Sequence, residues 1–159
     1  MTKTMKTSSI IIFPIILLLS VLHSPAQAQD YYFETSEPLS DTLNTSSEES
    51  LPIYSPKDST LFFVRTLHAE NTGGLLSGQD IWYSKMDNQG GWSEPKNDLS
   101  PLNNEGNNAI VGISDSGKTF YLLNDYEDER KQSPGLSLAF NREDKGWERP
   151  QHISIPGLD

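Results

Sequence analysis

From Leu51 onward the apolar residues come in short runs separated by turn-forming residues. Leu51–Tyr54, Thr60–Arg65 and Ile81–Lys85 make one series, and Ile110–Ile113, Thr119–Leu123 and Leu136–Asn141 make a second. β-Branched and aromatic residues dominate these runs, which suits the pleated surface of a strand. The Gly, Asn, Asp and Pro between them leave too little uninterrupted chain for helices. Each series closes on a tryptophan: Gly91-Trp92-Ser93-Glu94-Pro95 in the first, Gly146-Trp147-Glu148-Arg149-Pro150 in the second. A proline three residues beyond the indole predicts an outer strand, because proline has no N–H for a central ladder while the indole covers the sheet. Both tryptophans are read as packing residues.

The two series are copies. SPKDSTLFFVR from Ser55 matches SDSGKTFYLLN from Ser114, about 59 residues on. DIWYSKMDNQGGWSEPKNDLS from Asp80 matches GLSLAFNREDKGWERPQHISI from Gly135, about 55 residues on. Asp115-Ser116-Gly117-Lys118 predicts a tight turn; Pro56-Lys57-Asp58-Ser59 stands in the same place without the glycine and predicts a looser one. Four short strands per period have the size and rhythm of a propeller blade. The expected fold is therefore all-β: about two four-stranded antiparallel blades, near 51–100 and 109–155, making an incomplete β-propeller. Two equivalent sheets would place the stretches near Phe62 and Tyr121 in similar surroundings. Each sheet has two partly apolar faces, so each needs a neighbour on either side. Ile155–Asp159 aligns with Ser100–Asn104, where the first copy runs on into the next. The expectation is a propeller cut at a blade boundary; the alternative is a ring assembled from two-blade chains. Open blade edges would favour self-association.

The first residues have a different texture. Lys3 and Lys6 precede an apolar stretch from Ile10 to Leu22, followed by small residues at Ala26 and Ala28. That order predicts a secretory signal peptide over 1–28, cleaved after Ala28, and a periplasmic or cell-envelope location. The apolar stretch is short for a span of ~20 residues, so no stable membrane insertion is expected after cleavage. Residues 29–50 are rich in Ser, Thr, Glu and Asp and read as a polar leader or linker. Tyr31-Tyr32-Phe33 is their aromatic cluster, and Asn44-Thr45-Ser46 fits the glycosylation acceptor pattern.

Charge and cysteine narrow the function. The chain carries 12 basic and 22 acidic residues, a formal charge of −10. Losing Lys3 and Lys6 takes this to about −12, a surface that repels phosphate backbones and anionic lipid. Nucleic acid is excluded as an expected partner. The chain has no cysteine, so neither disulfides nor thiol catalysis contribute.

Several segments together carry a resemblance. Ser55–Phe63 and Ser114–Leu122 resemble the Ser-Pro-Asp-Gly-Lys-Thr-Leu-Tyr-Phe core of WD40-like PD40 repeats, typified by the TolB-type β-propeller. Gly78–Ser84 is similar to a Gly-x-Asp-Ile-Tyr-x-Ser segment of those repeats. Gly91–Asn97 and Leu102–Asn107 also match, connected as in periplasmic proteins that join such a propeller to an OmpA-like domain. The resemblance covers about residues 51–159 and implies a propeller. The OmpA-like domain is absent from it, so a cell-wall-binding role is not carried over.

The remaining constellations offer little chemistry. His23, His68 and His152 have no metal-ligand spacing, and the last two are expected on loops or the surface. Gly135-Leu136-Ser137-Leu138-Ala139 approaches a nucleophile elbow but lacks the second glycine and falls within a strand. Asp115–Phe120 resembles part of a sialidase Asp-box, which is a structural turn. Asp125-Tyr126-Glu127-Asp128-Glu129 is the densest acidic stretch, without calcium-loop spacing, and is read as a solvated loop. No catalytic, metal or cofactor residue is assigned. The candidate partner-binding loops are Asn103, Asn104, Glu105 and Asn107, at the passage between copies, with Asp125, Glu127 and Asp128. The expected function is a non-catalytic binding or scaffold module of the bacterial cell envelope, holding a protein or cell-wall partner. The alternatives are a secreted glycosidase-like hydrolase and a non-functional fragment of a longer propeller protein.

Overall fold

Eight strands follow one another without a helix among the described residues. A computed structural model describes residues 35–127, 133–142 and 144–157. The signal peptide expected over 1–28, Tyr31-Tyr32-Phe33 and Asp128 lie outside these. No helix among the described residues is long and apolar enough to cross a membrane.

The first sheet is β1 (Glu48–Ser55), β2 (Thr60–Thr66) and β3 (Gln79–Lys85), in that order. The second runs β4 (Ile110–Ile113), β5 (Thr119–Asp125), β6 (Ser133–Arg142) and β7 (Gly146–Trp147), with β8 (Gln151–Ile153) also on β6. All named pairings are antiparallel. The six central runs fall where the sequence places them. Among the described residues the fold is all-β, in two antiparallel sheets.

The sheets are copies in register as well as in sequence. Phe62 faces Tyr83 across the first sheet as Tyr121 faces Leu138 across the second. Val64 opposite Ile81 becomes Leu123 opposite Leu136. A bulge interrupts the first strand at the same level in each, between Ser50 and Ile53 and between Ile110 and Gly112. The outer strand is broken in both. In the second sheet it is β7 and β8, separated by Pro150; in the first it is two isolated bridges, Met86 with Trp92 and Tyr83 with Lys96, on either side of Pro95. A proline without its N–H cannot continue the ladder.

The turns between the first two strands of each copy have equal length and different geometry. Gly117 takes φ +70° after a turn closed by its N–H on the Ser114 carbonyl at 2.8 Å. In the other copy the left-handed residue is Ser59, one place later, at φ +48°. The glycine thus selects which position turns left-handed, and its absence does not lengthen the loop. The two turns touch: Lys57 Nζ donates to the Ser116 carbonyl at 2.7 Å.

The sheets stack through Phe62, Ile81, Leu102, Ile110, Phe120, Leu122 and Ala139, with Tyr83, Ile53 and Trp147 at the margin. One face of the first sheet therefore meets the non-equivalent face of the second, as in a head-to-tail stack. Each large side chain removed from water here contributes about 1.5–3 kcal/mol. Trp147 lies on Phe120, ring centroids 4.0 Å apart, so the indole is a packing residue.

Two expectations need correction. The surroundings of Phe62 and Tyr121 are not alike: Phe62 is 8 % exposed and Tyr121 is 42 % exposed. Their strand positions correspond, but only the first is covered by a neighbouring sheet. The stretch from Asp41 to Ser50, though largely exposed, is not simply a leader or linker either. β1 begins at Glu48, and Leu43 is buried against Phe63 and Trp82. Arg65 draws the stretch in: Nε donates to Glu49 at 3.1 Å and Nη2 to the Thr42 carbonyl at 3.0 Å. Its guanidinium lies over the Trp82 ring, 4.7 Å from the centroid. Polar residues supplied the partners that this buried cation requires.

Candidate partner-binding cleft

The passage from the first copy to the second is built by asparagines that imitate backbone. Asn103 Oδ1 accepts from Ile81 N at 2.8 Å, and its Nδ2 donates to the Ile81 and Asn97 carbonyls, each at 2.9 Å. The side chain pairs with β3 as a neighbouring strand would. Asn104 Oδ1 accepts from Gly106 N at 2.8 Å, closing a local turn. The Gly106 carbonyl in turn accepts from Gln79 N at 3.2 Å. Gly78 lets the chains approach: a Cβ there would lie 2.2 Å from the Gly106 oxygen.

Beneath this passage lies a buried polar network. Asp80 is fully buried, held by neutral donors. Its Oδ2 accepts from Thr72 N at 2.8 Å, Thr72 Oγ1 at 3.0 Å and Asn97 Nδ2 at 3.1 Å. Asn108, also buried, donates to the Asn104 carbonyl at 2.8 Å and accepts from the Tyr126 hydroxyl at 3.0 Å. Burial pushes the Tyr126 hydroxyl above its ordinary pKa, and the Asp80 charge adds to this. The hydroxyl stays protonated and keeps donating. Among the described residues no buried side-chain nitrogen or oxygen lacks a partner.

Above the network opens a cleft of about 610 Å³ between the passage and the second sheet. Thr72, Ser100, Asn103, Asn104, Glu105, Tyr126 and Arg149 line it. Glu105 supplies a carboxylate and Arg149 a guanidinium, whose Nη2 donates to the Glu127 carbonyl at 3.1 Å. Glu105 is the one acidic residue of that described lining; cleaving a glycoside requires two opposed carboxyl groups.

Three of the sequence-derived candidates, Asn103, Asn104 and Glu105, line this cleft together. The amides of Asn103 and Asn104 are engaged in holding the passage, leaving Glu105 as the exposed member. Asn107 is exposed beside it, and its carbonyl accepts from Asn124 Nδ2 at 2.9 Å. Asp125 and Glu127 are placed elsewhere. Asp125 Oδ1 accepts from Glu127 N at 2.8 Å, and Oδ2 lies 3.5 Å from His152 Nδ1. Glu127 borders a shallower depression with Arg149, Gln151 and His152. Arg149 therefore joins the two groups of candidates. Sequence reasoning placed it on the outer strand and did not single it out, because the residues it bridges are far apart in sequence.

The other chemical candidates take structural places. Ser137 is fully buried in β6; its hydroxyl donates to the Asn124 carbonyl at 3.0 Å and accepts from Tyr126 N at 3.3 Å. His68 lies on a loop, edge-on to Trp82 with centroids 4.7 Å apart. His152 is on the exposed β8. Among the described residues no group of three or more His, Asp or Glu is arranged to hold a metal ion. No family model, curated protein or solved structure matches this chain.

Proposed function

We propose that the chain is a non-catalytic binding or scaffold module of the bacterial cell envelope, exported by its N-terminal signal. Its sheets are blades of the PD40, TolB-type kind in an incomplete propeller, and a protein or cell-wall partner sits in the cleft between them. The observation that carries the reading is the cleft itself. Glu105 and Arg149 bring one negative and one positive group to the rim of a polar hollow, on a support whose buried polar atoms are satisfied. Such a site offers hydrogen bonds and a charge pair to a polar ligand, with no second acid among its described lining residues. The head-to-tail stacking of sheets in matching register supports the blade reading.

Co-sedimentation with purified peptidoglycan sacculi tests the cell-wall partner. The wild-type chain is expected in the pellet, and a Glu105→Lys, Arg149→Glu double variant with an unchanged circular dichroism spectrum in the supernatant. Wild type left in the supernatant overturns the cell-wall partner; release of reducing sugar by wild type would favour the hydrolase alternative.

A further inference from the structure

The second sheet carries an apolar face that no described residue covers. Val111, Tyr121 and Leu123 are 47 %, 42 % and 37 % exposed. Leu138 lies opposite Tyr121, Leu136 opposite Leu123, and Phe140 opposite Thr119, so the β6 residues share that face and are half-buried. The outward positions from Thr119 to Leu123 and from Leu136 to Phe140 carry no charge. An antiparallel sheet with one wet face alternates apolar with polar residues. Here both sides of the alternation are apolar.

The chain itself shows what such a face does. Phe62, Val64, Ile81 and Tyr83 hold the corresponding positions in the first sheet, and there the face is covered by another sheet. The far side of the first sheet is covered in part: Leu43 packs on Phe63 and Trp82 and Arg65 ties the covering stretch down, while Tyr54, opposite Leu61, stays 45 % exposed. Among the described residues the stack therefore has one end that the Leu43 stretch caps in part and one end that is open. A further copy adding head to tail would meet the cap. An arrangement that uses only the open end of each chain is a two-fold pair, with the same patch on both sides.

We infer that this chain pairs with a second copy of itself, open face to open face, across Val111, Tyr121, Leu123 and the β6 residues Leu136, Leu138 and Phe140. The pair is a finite four-sheet stack with a Leu43 cap at each outer end. The uncharged face lets two chains of net charge −10 meet without opposing carboxylates. The surface responsible is the sheet face, distinct from the blade edges expected to associate. It is also separate from the Glu105–Arg149 cleft, so pairing does not depend on what that cleft binds.

Sedimentation equilibrium of the purified chain tests this. Wild type is expected to show a monomer–dimer equilibrium, and Tyr121→Lys to weaken it at least about tenfold, equivalent to ~1.4 kcal/mol. Tyr54→Lys, at a similarly exposed tyrosine of the first sheet, should leave it unchanged. Because the chain has no cysteine, single Tyr121→Cys and Tyr54→Cys variants give a second reading that tolerates loss of stability in the lysine variant. A short thiol cross-linker should join two chains of the Tyr121→Cys variant and not two chains of the Tyr54→Cys variant. A monomeric wild type at ~100 μM, or a Tyr121→Lys dimer as tight as wild type, overturns the inference. So does cross-linking of one variant to the other when the two are mixed, which would mark head-to-tail growth.

Discussion

Phe62 of the first sheet meets Phe120 of the second edge to face, with ring centroids 5.0 Å apart and planes at 77°. This contact sits at the centre of the interface between the sheets. Truncation of Phe62 to alanine should cost about 3–5 kcal/mol through lost burial and the cavity left behind. Tyr121→Ala, at the corresponding register position, should cost under about 1.5 kcal/mol, because this residue is 42 % exposed in the single chain where Phe62 is 8 % exposed. Urea unfolding at a concentration where the chain is monomeric checks both; equal losses would mean that the faces are equally covered.

Arg65 holds the Leu43 stretch against the first sheet by hydrogen bonds to Glu49 and to the carbonyl of Thr42, with its guanidinium over the Trp82 ring. Arg65→Ala leaves these acceptors without their donor and should destabilise the chain by about 3–5 kcal/mol. Arg65→Lys should recover only part of the loss, since an ammonium cannot reproduce the planar fork. Limited proteolysis should then cut first between Asp41 and Glu48. Cleavage elsewhere at the wild-type rate would show that Arg65 does not secure the cap.

Tyr83 titrates late. Burial, the hydrogen bond to Asp98 and the charge of that carboxylate push its pKa up to about 12. The unfolded chain releases this proton near pH ~10 while the folded chain retains it, so above that pH deprotonation favours unfolding. The stability Tyr83 contributes is complete below pH ~10 and is lost as pH rises through the folded value. Tyr83→Phe should flatten the fall in urea midpoint between pH ~10 and ~12. An unchanged slope in the variant would assign the fall to other tyrosines.

Ser59 sits at φ +48°, where an L-residue is strained and glycine is not. Ser59→Gly should raise stability by about 0.5–1 kcal/mol, with the relief of strain exceeding glycine's entropy cost in the unfolded chain. Gly117→Ala, at φ +70° and with Asp58 Oδ2 3.0 Å from the added Cβ, should lower it. Thermal unfolding of the two variants decides the signs.

Much of the fold was legible. Short β-branched and aromatic runs at Thr60–Arg65 and Thr119–Leu123, bounded by turn residues, marked strands, and the paired Trp and Pro marked an outer strand, because these depend on local side-chain shape and on a missing N–H. The candidate cleft was legible only in part. Asn103, Asn104 and Glu105 stood out as an asparagine-rich passage, but Arg149 and Thr72 reach them from segments with no local signal. The Leu43 stretch was misjudged because polar residues usually favour solvent. Here Thr45 Oγ1 bonds Glu49 at 2.5 Å and Arg65 consumes nearby carbonyls, so the polarity is satisfied within the fold.

The sequence by itself determined the two repeats and their strands, since turn residues and short β-branched or aromatic runs are local properties. Only the tertiary structure decided that Phe62 is covered while Tyr121 faces out, that Leu43 covers part of one end, and that Arg149 lines the same cleft as Glu105. Those outcomes depend on which face of one sheet meets which face of the next. A strand with apolar residues on both sides does not encode that choice; it is made by the contacts that bury the most surface between segments distant in the chain.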